Sequence, residues 1–429
     1  MLFQDLQKRE NEGKPIRIGV SGADWMGSGF VTQVARMKGM EVKVLADENV
    51  EAARKVFLDI GVNQGNIVEA HAVNRAADAL REKKYVISGS YGLAAQLEEI
   101  DIVADVTPSP AIGAETAVSC IQHAKDVVMV NIEADVTVGH ILHQKANQAG
   151  IIYTVSSGDE PGCLIELWDF VNSQQFEPIV IGKGKNNPLN PSATPDTVIE
   201  SAKKSNKDPF QIASYVDGTK TMFEMCCAAN ATGCVPMQPG MAGPVATIEN
   251  VSQIFALEAD GGITKFPGVV DFVQGKSMSG GVFITVRVDN PRIKDDLIYM
   301  GARGSDRYFT FFRPYHLWFI EAPISVAKAF LYKKKWLVPL KKPVADVLAI
   351  AKRDLKPGDL LDQFGGYTFY GKIDTAEAVK SLNGLPVGLA PGAKITATKK
   401  AGEVITWTDV DLPDTQVVKL RKEQNGSVN

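Results

Sequence analysis

The sequence predicts an α/β fold: a doubly wound parallel sheet, then a central α+β region, then a small β-rich region. Three observations predict it. From Ile16 to about Gly150, short apolar runs alternate with segments of helical periodicity, as in a parallel sheet covered on both faces. The first run, Ile16, Ile18 and Val20, passes through Gly22-Ala-Asp-Trp-Met-Gly27 into Phe30, Val31 and Val34 at helical spacing. Past Phe330 the composition shifts: a basic, proline-bearing stretch, Lys333–Pro343, precedes short apolar runs broken by tight-turn residues at 356–359, 365–366 and 390–393.

Residues 1–14 read as a short helix. The parallel strands expected are Ile18–Val20, Val42–Ala46, Ile102–Val106, Val127–Ile132 and Ile151–Val155, with helices over Asn49–Leu58, Arg75–Glu82, Gly113–His123 and Val138–Ala149. This is a Rossmann-type arrangement, which places a ligand at the strand C-termini. A helix over Cys163–Val171, a strand over Pro178–Gly182, a helix over Val198–Ser205 and a strand over Gly280–Val288 follow. The expected domains are 1–155 for a dinucleotide, 156–335 for catalysis and substrate, and 336–429, with residues 413–429 as a polar, frayed tail.

The turn Gly22, Ala23, Asp24, Trp25, Met26, Gly27 has the form that lets a backbone approach a pyrophosphate at a helix N-terminus. Asp24 stands where the middle glycine of that motif belongs, and a carboxylate there repels phosphate. Asp47, 20 residues past Gly27, is placed to accept ribose hydroxyls or to cap the next helix; Arg54 is near enough for a 2′-phosphate, so both NADH and NADPH stay open. Thr107 and Pro108 end one strand, and Asn131 and Glu133 the next, beside the same crevice; a proline turn and helix capping are the plainer readings.

The middle of the chain carries the charged candidates. Asp159 and Glu160 could ligate a divalent cation or simply favour a helix dipole. Lys183, Lys185 and Asn186 follow a strand as an anion-site candidate, with both lysines on one side if the strand persists. Lys203 lies on the next helix. Lys220 and Glu224 sit four apart on a mostly apolar helix, either as a surface pair or as buried charges that need partners. Arg313 and Tyr315 suit carboxylate or phosphate recognition, and His316 is a candidate acid or base or a core histidine bonded to backbone.

Composition excludes other classes. A net charge of −4 and 45% hydrophobic residues suggest neither a nucleic-acid nor a membrane surface, and no apolar run reaches transmembrane length. The five cysteines are odd in number and lack zinc-ribbon spacing, as expected of buried thiols in a reducing cytoplasm.

These segments resemble the homoserine-dehydrogenase-like oxidoreductases with a C-terminal SAF domain. The resemblance rests on Ser-Gly-Asp-Glu-Pro-Gly (157–162), Gly-Lys-Gly-Lys-Asn-Asn-Pro (182–188), Val-Asp-Gly-Thr-Lys-Thr-Met (216–222), Ala-Asn-Ala-Thr-Gly (229–233), Arg-Pro-Tyr-His-Leu (313–317) and Lys-Pro-Gly-Asp (356–359). It implies NADPH or NADH as cofactor, a divalent metal as an option, and a homodimer or higher homo-oligomer. It includes 1-deoxy-D-xylulose 5-phosphate reductoisomerase-like enzymes, which rearrange a carbon skeleton and then reduce it. Aligned on Thr232-Gly233, Lys220 stands at the active-site aspartate of homoserine dehydrogenase, Glu224 at its catalytic lysine, and Glu133 at another functional lysine. The expectation is therefore a cytoplasmic oxidoreductase for a small anionic polyhydroxy carbonyl compound. Lys220, Glu224, Glu160 and Lys185 would be catalytic, and Lys183, Asn186, Lys203, Arg313, Tyr315 and His316 would bind substrate. A homoserine-dehydrogenase-like alcohol dehydrogenase and a non-catalytic nucleotide sensor are the alternatives.

Overall fold

The computed structural model describes residues 1–427. Along the chain, α1 (Leu2–Asn11) leads to β1 (Ile16–Ser21), α2 (Trp25–Arg36), β2 (Met40–Ala46), α3 (Val50–Asp59), β3 (Ile67–Glu69), α4 (Val73–Arg81), β4 (Tyr85–Ser88) and β5 (Ile102–Asp105). Then come α5 (Pro110–Gln122), β6 (Val127–Met129), α6 (Ile132–Gln148), β7 (Tyr153–Val155), α7 (Glu160–Ser173) and β8 (Glu177–Lys185). The next elements are α8 (Ile199–Ser205), α9 (Pro209–Val216), α10 (Thr219–Thr232), α11 (Val251–Ile254), β9 (Val269–Gln274), β10 (Val282–Arg287) and α12 (Pro291–Tyr299). The chain closes with β11 (Arg303–Ser305), β12 (Tyr308–Arg313), α13 (Trp318–Tyr332), β13 (Ala345–Ala351), β14 (Phe369–Thr375), α14 (Ala376–Ser381), β15 (Lys394–Ile395), β16 (Val410–Asp411) and α15 (Gln416–Ser427).

Two compact units share these elements. The first takes residues 1–162, 317–338 and 415 onward; the second takes 163–316 and 339–414. Their boundaries interleave along the chain, where the sequence reading expects three successive domains.

The first unit is built on a parallel sheet of order β3-β4-β2-β1-β5-β6-β7. Its strands are apolar because helices cover both faces: Ile16, Ile18 and Val20 of β1 are fully buried, as are Phe30, Val31 and Val34 of α2. Ala322, Val326 and Ala329 of α13 join the same core. Strands β3 and β4, of three and four residues, were not foreseen. The strand expected to reach Ile132 stops at Met129, because Asn131 accepts from Ala134 N and starts α6 there.

The tail also departs from expectation. Residues 416–427 form α15, with Val417, Val418 and Leu420 buried. Its polar residues mislead because two of them are interior: Arg421 Nη1 donates to Thr137 O at 3.0 Å, and Gln424 Oε1 accepts from Ile141 N at 3.1 Å. Residues 428 and 429 of the expected frayed tail lie outside the described residues.

The second unit holds a five-stranded sheet of order β11-β12-β10-β8-β9, parallel only between β8 and β9. Phe255 stacks on Phe283 across its core at 5.7 Å. The expected β-rich region is present as two antiparallel pairs, β13 with β14 and β15 with β16. Among the described residues no helix is long and apolar enough to cross a membrane.

The tightest constraint near the first turn is at Gly27. A Cβ there would lie 2.1 Å from Gly22 O, a backbone atom that cannot swing away. Gly27→Ala should lower the unfolding free energy by about 1–3 kcal/mol, as overpacking does. Urea unfolding measures it, and an unchanged midpoint would show that the turn opens freely.

Candidate functional site

In the first unit, strand order reverses between β1 and β5, the location where doubly wound sheets open a crevice for ligands. The turn after β1 and the loop after β5 meet there: a Cβ on Gly22, whose φ is +103°, would lie 3.1 Å from Thr107 Cγ2. Only glycine tolerates both that φ and that approach. Asp47, at the end of β2, ties the turn down. Its Oδ2 accepts from Ala23 N at 2.8 Å and its Oδ1 from Asn49 N at 2.8 Å. Asp47 therefore braces the turn, while Asn49 caps α3.

Asp24 is the N-cap of α2. Its Oδ1 accepts from Met26 N at 3.0 Å and from Gly27 N at 3.1 Å. Those amides are the ones a pyrophosphate would use at a helix N-terminus, so the carboxylate stands in the phosphate's place. Trp25 packs edge-on against Trp318 at 5.5 Å and Phe319 at 5.4 Å, both on α13. Arg54 is drawn away from any 2′-phosphate: it pairs with Glu51 at 3.0 Å and with Glu69 at 3.2 Å.

The loop after β5 is held by a buried network. Thr107 donates from N and Oγ1 to Asp105 Oδ1, at 3.1 and 2.8 Å. Asn131 Nδ2 reaches Asp105 Oδ2 at 3.0 Å, Thr107 Oγ1 at 3.1 Å and Ser109 O at 2.9 Å. Pro108 is left exposed at the tip, and Glu133 is buried in the first turn of α6. Burial pushes the Asp105 carboxyl up to about 7. The sequence reading gave Asp105 no role; its signal is a carboxylate ending an apolar strand.

These residues fit a dinucleotide: a glycine turn open to close approach, amides at a helix start, and an acidic residue after β2. The fit requires Asp24 to release two of the amides.

Asp159 and Glu160 also fall in the first unit and are buried. Their turn is fixed by Ser157, whose Oγ donates to Glu321 O at 2.8 Å, and by Gly158 O, which accepts from Trp318 N at 2.8 Å. Glu160 opens α7, in the position the helix dipole favours for an acid.

The second unit gathers the other charged candidates. Strand β8 continues past Gly182 to Lys185, so Lys183 and Lys185 share one face, and both are buried. Gly184 between them admits the neighbouring backbone: a Cβ there would lie 1.7 Å from Met278 O. Lys183 Nζ forms an ion pair with Glu224 of α10. Lys220 is half-buried in the first turn of α10. Lys185 Nζ donates to Tyr215 O at 2.5 Å, and among the described residues it makes no ion pair. Burial pushes its ammonium down to about 8, and the positive charge of Lys183 adds to the effect.

Two members of this cluster were given no role by the sequence. Asp217 and Lys352 form a fully buried ion pair at 2.7 Å. Lys352 directly follows the all-buried strand β13, the only sequence hint of an interior lysine.

The remaining candidates are satisfied locally. Asn186 is exposed and accepts from Ser279 Oγ at 3.0 Å. Lys203 is exposed and pairs with Glu200 at 3.2 Å. Arg313 pairs with Glu166 at 2.8 Å and lies over the Tyr315 ring at 4.7 Å. His316 Nδ1 is 2.8 Å from Gly280 O, the backbone-bonded arrangement weighed against an acid–base role.

Residues 158–322 match the family model described as oxidoreductase DRL, catalytic domain. No curated protein matches the chain. Solved structures similar to it include a probable dehydrogenase from Thermotoga maritima (13% identity, 74% of this chain and 90% of that one, TM-score 0.42). A UDP-N-acetylglucosamine 3-dehydrogenase from Acidithiobacillus ferrooxidans shares 12% identity over 76% of this chain and 92% of that one, with a TM-score of 0.42. A scyllo-inositol dehydrogenase from Lactobacillus casei shares 14% identity over 75% and 89%, with a TM-score of 0.39. The match over 158–322 marks this chain as similar to oxidoreductases, and the doubly wound sheet with its glycine turn is a form that suits a dinucleotide.

Asp24→Asn keeps a good N-cap and removes the charge, so dinucleotide binding should tighten at least about tenfold, the scale of relieving one partly solvated like-charge contact. Fluorescence titration with NADH reads it; unchanged affinity would mean that Asp24 is no barrier.

Asp105 makes a separate prediction about pH. Its carboxyl titrates higher in the folded chain than in the unfolded one, so the folded state binds more protons between about pH 4 and 7. Stability falls as pH rises through that window, by at most about 1.4 kcal/mol per pH unit from this group. Asp105→Asn should flatten that part of the stability profile in urea titrations across pH 4–8.

Proposed function

We propose that the chain is a nicotinamide-dependent reductase of a small anionic polyhydroxy carbonyl compound, a sugar phosphate. Reductoisomerisation of the 1-deoxy-D-xylulose 5-phosphate type is the reaction to test first. The observation that carries this reading is Lys185. Lys183 and Lys352 meet buried carboxylates, Glu224 and Asp217, whereas the buried Lys185 ammonium meets the carbonyl of Tyr215 and is placed to take a ligand.

Gly22, Gly27 and Asp47 would hold a dinucleotide at the first turn, and it would supply the hydride for reduction. Lys185 Nζ polarises the carbonyl oxygen and gives its proton to the developing alkoxide, a transfer helped by an ammonium already pushed down to about 8. Glu224 pairs with Lys183 on the same face of β8, and Lys220, in the first turn of α10, is a further candidate for the phosphate. The acidic side chains Asp47, Glu51 and Glu69, with Arg54 bound to the latter two, favour NADH over NADPH.

Lys185→Met should lower kcat by roughly 10²- to 10⁴-fold, the range of one acid–base group. The wild-type rate of reduction should decline above about pH 8 as Lys185 loses its proton. The assay incubates the chain with 1-deoxy-D-xylulose 5-phosphate and NADH or NADPH and resolves the products. A rearranged skeleton supports reductoisomerisation, and an unrearranged alcohol supports simple reduction. Full activity of Lys185→Met, or no binding of either nucleotide at millimolar concentration, would sink the proposal.

A further inference from the structure

We infer that Lys352 is a positioning residue of the Lys185 site, holding in place the corner between α9 and α10 against which Lys185 rests; this builds on the reading of Lys185 given above. The corner is gripped from two sides. From β8, Lys185 Nζ donates to Tyr215 O at 2.5 Å. From the end of β13, Lys352 Nζ reaches Asp217 Oδ2 at 2.7 Å, two residues further along the same corner.

Lys352 does more than balance a charge. Its ammonium also donates to Ala193 O at 2.7 Å and to Gly366 O at 2.8 Å, so a single buried group ties together three separate loops. Its side chain is 2% exposed, and that of Asp217 is fully enclosed. Asp217 Oδ1 in turn accepts from Thr219 N at 2.8 Å, and Thr219 Oγ1 accepts from Gly371 N of β14 at 2.9 Å. The backbone that receives Lys185 is thus set by residues more than a hundred positions away in sequence. A buried ammonium with three acceptors has no reason to move, whereas one lost partner leaves an uncompensated charge.

The charged groups around Lys185 are Lys183 and Glu224, from β8 and α10, and Asp217 at the corner; Tyr370 of β14 faces Asp217 in turn. Asp217 raises the proton affinity of Lys185, so removing its charge, or leaving it unpaired and therefore protonated, lowers the Lys185 midpoint.

The test uses the full chain labelled with ¹³C at lysine Cε, with the Lys185 resonance assigned through Lys185→Arg. The wild-type midpoint is expected near 8, with a shift on adding inorganic phosphate. Lys352→Met and Asp217→Asn should each lower that midpoint by at least about half a unit and weaken the phosphate response about tenfold, a loss of roughly 1.4 kcal/mol in binding. If Lys352→Met does not fold, Lys352→Met/Asp217→Asn leaves no unpaired buried charge, and the same fall is expected of it. A folded variant with the wild-type midpoint and phosphate response would overturn the inference and leave Lys352 as a structural clamp alone. A midpoint that falls as described while phosphate leaves wild-type Lys185 unmoved would support the coupling and overturn the anion-site reading.

Discussion

Compensation of buried charge is the constraint on which the second unit depends. An ammonium taken from water must find carboxylates or carbonyls, and the geometry must be good enough to offset the desolvation. Lys183 finds Glu224, and Lys352 finds Asp217 and two carbonyls. These pairings fix β8, the α9–α10 corner, α10 and the β13–β14 pair to one another. Lys185 has a neutral carbonyl instead, and this difference makes it the chemically informative member. A buried ammonium that touches a carbonyl rather than a carboxylate is poised to meet an anionic ligand or to give up its proton.

The first unit obeys a different constraint, close approach of backbone. Gly22 and Gly27 leave no room for side chains, and Asp47 anchors the bend through Ala23 N. Asp24 then caps the helix with the group that a phosphate would displace. Cap and ligand compete for the same two amides, so the stability of the empty turn and its affinity for a nucleotide oppose each other. Across the switch point, the Asp105–Thr107–Asn131 network stiffens the facing loop by hydrogen bonds that close within the protein.

The doubly wound sheet was legible because buried parallel strands leave continuous apolar runs, and the glycine turn because its spacing is local. Lys183, Lys185 and Glu224 could be singled out because charge within apolar surroundings demands a reason. One contact could not be read: Lys183, a partner of Glu224, is 41 residues distant from it on β8, beyond the reach of any local periodicity. Lys352 escaped for the same reason, since its partners lie far off in sequence. Arg313 and His316 stood out as residue types, while their contacts with Glu166 and Gly280 O, far off in sequence, could not be read. The tail misled because hydrophobicity alone was weighed, and Arg421 and Gln424 are interior through hydrogen bonds to α6.

Helix α15 has a consequence for how the molecule is made. It belongs to the first unit, but some 260 residues separate it from the last strand of that unit's sheet, β7. On a ribosome moving at about 5–20 residues per second, the sheet emerges roughly 10–50 s before the segment that seals α5 and α6. During that interval the surface meant for Val417, Val418 and Leu420 stands uncovered. The nascent chain is therefore open to chaperones, and to wrong partners, at the surface that α15 later closes.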